Sequence, residues 1–301
     1  MKTTRLVALG AATAACAVAA AAGASAAPRA SVCPNGKVNF GVEPYDAGAK
    51  FTGAYQALTK ALATNLGCPV KLVVTSNYTA EVEAMRAKKL DVAEFGPLGY
   101  IFAHKLAKAT PVAVFGTKAR KPVTYTAAIW VPTDSTIASI SDLKGHTLAL
   151  SDPASTSGNL IPMYAMLEAG LNPTKDVKIQ YAGGHPESLL ALTNGKVDAA
   201  EVNSQQQATA TAAGQLDTSK FKVLWRSAPL PNDPITVRGD LPASFQSALK
   251  KALFKLTPAQ LKLVDTELGV DSGPMIPATD AMFKTIRDVI NIEHLKISDI
   301  G

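Results

Sequence analysis

Three consecutive hydroxyl residues, Ser155-Thr156-Ser157, are followed by Gly158 and lie between two apolar stretches of different period. Thr147-Leu148-Ala149-Leu150 reads as a short strand, and Leu160, Met163, Tyr164 and Leu167 recur at helical spacing. The hydroxyls therefore stand at a strand-to-helix turn. The first N–H groups of a helix have no intrahelical partner, and its aligned peptide dipoles put partial positive charge there, so such a turn can hold an anion. Ser155, Thr156 and Ser157 add three donors, and Gly158 lets a ligand come close to the backbone. A helix cap needs only one of these hydroxyls. Cap and anion site are both open at this point.

Other chemistries are poorly supplied. The four histidines stand at 104, 146, 185 and 294, and no Gly-x-Ser-x-Gly elbow accompanies them, so a Ser157–His185 dyad lacks what would single out one nucleophile. His104 falls inside a helical pattern and His146 beside a turn, which are structural positions. His185 follows Gly183-Gly184 at a strand end, where open α/β sheets place ligand-contacting residues. Tyr78 and Tyr125 occupy similar margins, where each taken singly reads first as an edge-packing aromatic. Neither Gly183-Gly184 nor Gly96-Pro97 fits the spacing of a nucleotide-binding loop, and no paired His or Cys ligands suggest a metal. No cofactor and no catalytic residue are expected.

The elements that must carry these residues alternate. A strand at 38–42, a helix through Phe51, Tyr55, Leu58, Leu62 and Leu66 ending at Gly67, a strand at 70–74, and a helix carrying Val82 and Met85 with Thr79 placed to cap it come first. Short strands at 91–95 and 112–115 flank a helix through Tyr100, Phe102 and Leu106. After a basic loop at 118–121, one longer strand at 125–131 opens a second round: strands at 147–150, 177–181 and 197–202, with helices between them. The pace predicts right-handed βαβ units and parallel sheets. A strand at 221–225 leads to Pro229, Pro231 and Pro234, an extended crossing, and three helical stretches from 245 to 292 then need a surface, which the first half offers.

The N-terminus, with Lys2 and Arg5, an apolar run from Leu6 to Ala22 and Ala24-Ser25-Ala26, reads as a secretory signal over residues 1–26. Cys16 raises a lipoprotein alternative, but Thr13-Ala14-Ala15 lacks the large aliphatic residue usual before a lipidated Cys. Removing this segment lowers the net charge from +6 by the two basic residues it carries, a mild excess without the basic–aromatic runs of nucleic-acid binders. Cys33 and Cys68 each precede a strand. If the intervening helix makes those strands parallel neighbours, the cysteines share one sheet edge and form a disulfide in an oxidising compartment.

Asn77-Tyr78-Thr79-Ala80-Glu81-Val82, the run from Lys89 through Glu94-Phe95-Gly96-Pro97 to Tyr100, Asp152-Pro153-Ala154-Ser155-Thr156-Ser157-Gly158, Gly184-His185 and Ala228 to Pro234 together resemble the phosphonate/phosphite-binding proteins of ABC transporters. The resemblance implies an α/β periplasmic-binding-protein fold, type II-like: two α/β lobes, here 33–123 with 231–301 and 124–230, joined by two crossings and closing over a ligand cleft. It implies a monomeric, periplasmic, non-enzymatic receptor that hands a small phosphorus oxyanion to a membrane permease. A receptor for another oxyanion or a vitamin precursor, and a transferase on the same fold, are the rival readings. By position, Ser155, Thr156 and Ser157 grip the phosphonate oxygens, and Tyr78, Tyr125 and His185 complete the grip. Where aminophosphonate-binding members hold an ammonium between two carboxylates, Asp233 matches one and Gln205 replaces the other, which favours phosphite or a small uncharged phosphonate. Glu94 is a second departure, standing where the family often has an aromatic: it faces the cleft and restores a carboxylate, or it points away.

Overall fold

The computed structural model describes residues 1–4, 32–46 and 48–293; most of the expected signal segment, with Cys16 and Ala24-Ser25-Ala26, lies outside them. No helix among the described residues is long and apolar enough to cross a membrane. The first round of elements is β1 (Val38–Val42), α1 (Ala49–Leu66), β2 (Val70–Val74), α2 (Tyr78–Arg86), β3 (Val92–Glu94), α3 (Pro97–Ala107) and β4 (Thr110–Val114). The second is β5 (Thr124–Tyr125), β6 (Ala128–Pro132), β7 (Thr147–Leu150), α4 (Ile161–Glu168), α5 (Pro173–Asp176), β8 (Lys178–Tyr181), α6 (His185–Thr193), β9 (Ala199–Glu201), α7 (Ser204–Ala212) and β10 (Phe221–Arg226). The chain closes with β11 (Leu230–Pro231), β12 (Ile235–Val237), α8 (Ala243–Phe254), α9 (Pro258–Glu267), β13 (Ile276–Pro277) and α10 (Lys284–Glu293).

Two large sheets result, in the orders β2-β1-β3-β12-β4-β13 and β8-β7-β9-β6-β10, with a separate two-stranded ribbon of β5 and β11. Both have a parallel trio, β2-β1-β3 and β8-β7-β9, built by βα crossovers. Beside each trio lies one antiparallel strand, β12 against β3 and β6 against β9. The expectation of parallel sheets therefore holds only for the trios. The reason is the crossings: β6 and β12 are the strands by which the chain enters each sheet from the other one, so they run the opposite way. The strand expected at 125–131 is broken for the same reason. Thr124–Tyr125 pairs with Leu230–Pro231, one crossing against the other, and only Ala128 onward joins the second sheet.

Apolar side chains fill both faces of both sheets. Phe40, Tyr55, Leu58, Leu62, Phe245, Leu249 and Leu261 pack α1, α8 and α9 on one face of the first sheet. Val82, Met85, Phe95, Tyr100, Phe283 and Ile286 pack α2, α3 and α10 on the other. Ending α1 at Gly67 needs the left-handed backbone found there, φ 73°. The cap of α2 is Asn77 and not Thr79: the Asn77 side chain accepts from the Ala80 N–H at 2.7 Å. The C-terminal helices do cover the first half, but α10 also meets α4 and the turn before it, so it spans more than the one surface expected.

β1 and β2 lie side by side with Val38 opposite Val70, and Cys33 and Cys68 at that edge are joined, Cα to Cα 6.5 Å. The link closes a loop with a sequence separation of 35. By chain entropy such a link contributes about 3–4 kcal/mol. Replacing both cysteines by Ser is expected to lower the unfolding free energy by about that amount in a urea titration; an unchanged midpoint would remove this role.

Candidate functional site

The C-terminal ends of the parallel strands face one another across a small cavity. From the second sheet come the residues after β7, β8 and β9: Ser155, Thr156, Ser157, His185, Asn203 and Gln205, with Tyr125 from the crossing. From the first come Glu43 after β1, Tyr45, Tyr78 at the start of α2, Gly96 before α3, and Asp233 before β12. Eight of the nine residues expected from the sequence thus line one cavity. Glu94 does not: it ends β3 and accepts from the Tyr55 hydroxyl at 2.9 Å, and Tyr55 in turn meets the Tyr45 hydroxyl at 2.8 Å. The departure at Glu94 reaches the cavity only through these two tyrosines.

The hydroxyl turn is a wide one. Leu160 N–H bonds the Ser155 carbonyl at 3.1 Å, a π-type turn over Thr156–Leu160 that runs into α4. Ser155 is the cap, its Oγ accepting from the Gly158 N–H at 3.1 Å and lying 3.4 Å from His185 Nε2. Thr156 Oγ1 accepts the Leu98 N–H of α3 at 2.9 Å, across the cleft. Ser157 and Thr156 hydrogen-bond the Tyr125 hydroxyl, and Asn203 Nδ2 lies 3.4 Å from Ser157 Oγ. Gly158 is not a gap for a ligand. A Cβ there would overlap Ser151 Oγ and come within 2.9 Å of His185 Cε1, so it is these two side chains that demand glycine.

The family model for the periplasmic phosphonate substrate-binding protein of ABC transporters matches residues 40–283, which includes every residue of this cavity. The chain belongs to this family. It is an extracytoplasmic substrate-binding component of an ABC transporter. It is 27% identical to the phosphate-import protein PhnD of Mycolicibacterium smegmatis, over 83% of each chain. It is 28% identical to the phosphonates-binding periplasmic protein of Escherichia coli, over 68% of this chain and 61% of that one. The crystal structure of a binding-protein component of an ABC phosphonate transporter from Pseudomonas aeruginosa superposes with a TM-score of 0.77, at 25% identity and over 86% of both chains.

His185 opens α6, one residue past the strand-end glycines, and Nδ1 contacts Glu201 Oε1 at the end of β9. Burial alone pushes the imidazolium down. The charge and hydrogen bond of Glu201, with Asp233 and Asp152 further off, outweigh burial and raise its pKa above 6.5. The opposite wall is acidic. Burial pushes Asp233 up to about 7, His185 opposing it. Burial, then Asp233 and Glu81, push Glu43 well above the carboxylate range, against a hydrogen bond from the Gly96 N–H. Glu81 and Glu94 are raised likewise, by burial first and by neighbouring acids second.

Glu43, Tyr45, Asn203 and Glu201 are the residues that sequence reasoning missed. Glu43 had a readable signal: Gly41-Val42-Glu43-Pro44 puts a carboxylate directly after a strand, where His185 was noticed for the same reason. Glu201 had none, being one of six residues of an apparently buried strand.

Raised carboxyl pKa values make the folded chain bind protons that the unfolded chain has released, so these groups favour folding at low pH and cease to do so as pH rises through their folded values. His185, also raised, has the same sign. The melting temperature of the ligand-free protein is therefore expected to fall steadily from about pH 5 to about pH 8, and Asp233→Asn to flatten the part up to about pH 7. A melting temperature that rises over this range would overturn the assignment.

Proposed function

We propose that the cleft captures a small phosphorus oxyanion and that the closed protein delivers it to a membrane permease. The carrying observation is the buried Ser155-Thr156-Ser157 turn, with Tyr125 and His185 in contact with it, at the start of a helix and inside a cavity. Thr156, Ser157, Tyr125 and Tyr78 are donors for phosphoryl oxygens. His185, held against Glu201, supplies the positive charge. Ser155 shapes the turn, and Gln205 and Asp233 meet the remainder of the ligand.

The moving bodies are residues 33–123 with 231–301 and residues 124–230, hinged where β5 and β11 pair. Closure brings the Leu98 N–H to Thr156 and the Tyr78 N–H to the Asp152 carboxylate, so the ends of α3 and α2 are tied to the other wall only in the closed form. In this reading the protein acts as a monomer and without catalysis.

Calorimetric titration with methylphosphonate, phosphite, 2-aminoethylphosphonate, phosphate and sulfate tests the reading. At least one phosphorus anion is expected to bind, with sulfate weakest. Ser157→Ala should weaken the best ligand about tenfold while leaving the melting temperature nearly unchanged, since one charge-assisted hydrogen bond is lost. No binding to any phosphorus ligand would end this reading.

A further inference from the structure

The wall opposite the hydroxyl turn contains a carboxyl group that the anion grip does not use. Glu43 is buried, lines the cavity, and its Oε2 has no hydrogen-bond partner in the chain. Its other oxygen is fixed from behind: the Gly96 N–H bonds the carboxylate, and a Cβ on Gly96 would stand 2.8 Å from Glu43 Oε1. Tyr78 Oη and Gln205 Nε2, on the same cavity, are likewise buried without partners. Asp233 lies beside Glu43 on that wall.

We infer that Glu43 sets which phosphorus ligand the cleft takes: its carboxyl group partners a fourth oxygen on phosphorus, so that inorganic phosphate is favoured over a phosphonate or phosphite whose fourth substituent is carbon or hydrogen. This rests on the reading of the cleft as a phosphorus-oxyanion site. A tetrahedral anion that turns three oxygens to Thr156, Ser157, Tyr125 and His185 points its fourth substituent to the wall where Glu43 stands. One proton between Glu43 and that oxygen completes the contact, whether it arrives on the ligand or on the carboxyl. A methyl group or a P–H in the same place leaves a buried oxygen of Glu43 facing an atom that cannot bond it.

The experiment is calorimetry of inorganic phosphate, phosphite, methylphosphonate and 2-aminoethylphosphonate against the wild-type chain and Glu43→Met, which keeps the length of the side chain and removes its oxygens. Wild type is expected to bind phosphate at least tenfold tighter than methylphosphonate or phosphite. Glu43→Met is expected to weaken phosphate ten- to hundredfold and to leave methylphosphonate unchanged or tighter, reversing the order. The wild-type order needs no variant, and it overturns the inference by itself if methylphosphonate or phosphite binds tighter than phosphate. So does 2-aminoethylphosphonate as the tightest ligand, since Glu43 would then meet an ammonium. Equal weakening of all ligands by Glu43→Met overturns it too, because the residue would only be supporting the cleft. Failure of every phosphorus ligand would instead remove the site reading on which the inference stands.

Discussion

The constraint on which the cavity depends is electrostatic: it is walled by carboxyl groups, and the imidazole of His185 is the one basic side chain among its lining residues. Glu43, Asp233 and, behind them, Glu81 and Glu94 are all buried at the cleft end of the first sheet. Ionised together they would repel each other and any oxyanion, and burial makes each charge costlier still. Their raised pKa values are the response, with protons retained where the solvent would remove them. A protonated carboxyl is a hydrogen-bond donor. The same groups that look hostile to an anion in a list of charges are compatible with the proposed anion site once they keep their protons.

The second constraint is geometric, and the shared strand order of the two sheets meets it. Each parallel trio aims its C-terminal ends at the cleft, so residues directly after β1, β7 and β9 converge there with Asp233 at the entry to β12. The crossings add the antiparallel strand to each trio and pair with each other through only Leu230↔Tyr125 and Pro231↔Thr124. A link of two residue pairs is thin enough to bend, and Tyr125 is part of it. One side chain of the proposed anion grip therefore sits on the crossing itself.

Much of this was legible in the sequence, for reasons that can be named. Alternation of short apolar runs with helical periods located β1, β2 and β7 to the residue, and Cys33 and Cys68 before neighbouring strands implied their link. The residues at strand ends that carried a hydroxyl, an imidazole or an aromatic ring were the visible part of the site. What was not legible was pairing direction and side-chain aim. Periodicity has no sign, so β6 and β12 read like their parallel neighbours. Residues 128–131 continue the apolar character of 125, so the break that assigns them to different sheets leaves no trace in composition. Glu94 and Glu43 both stand at strand ends; strands alternate their faces, and only the position relative to the pleat decides that one carboxyl lines the cavity and the other bonds Tyr55.

In the hydroxyl turn the cap takes up only one of the three side chains. Ser155 takes the Gly158 N–H, which is what a cap does, and by doing so it fixes the turn that presents the next two hydroxyls. A π-type turn places more residues in each revolution than an α-turn, so consecutive side chains splay less and Thr156 and Ser157 stay near one face. That widening needs Ser151 and His185 to press against the backbone at Gly158, where no side chain fits. His185 is therefore a wall of the turn, and the contact with Glu201 holds its imidazole in place. Three hydroxyls in a row are more than a cap requires because only the first of them is spent on the helix.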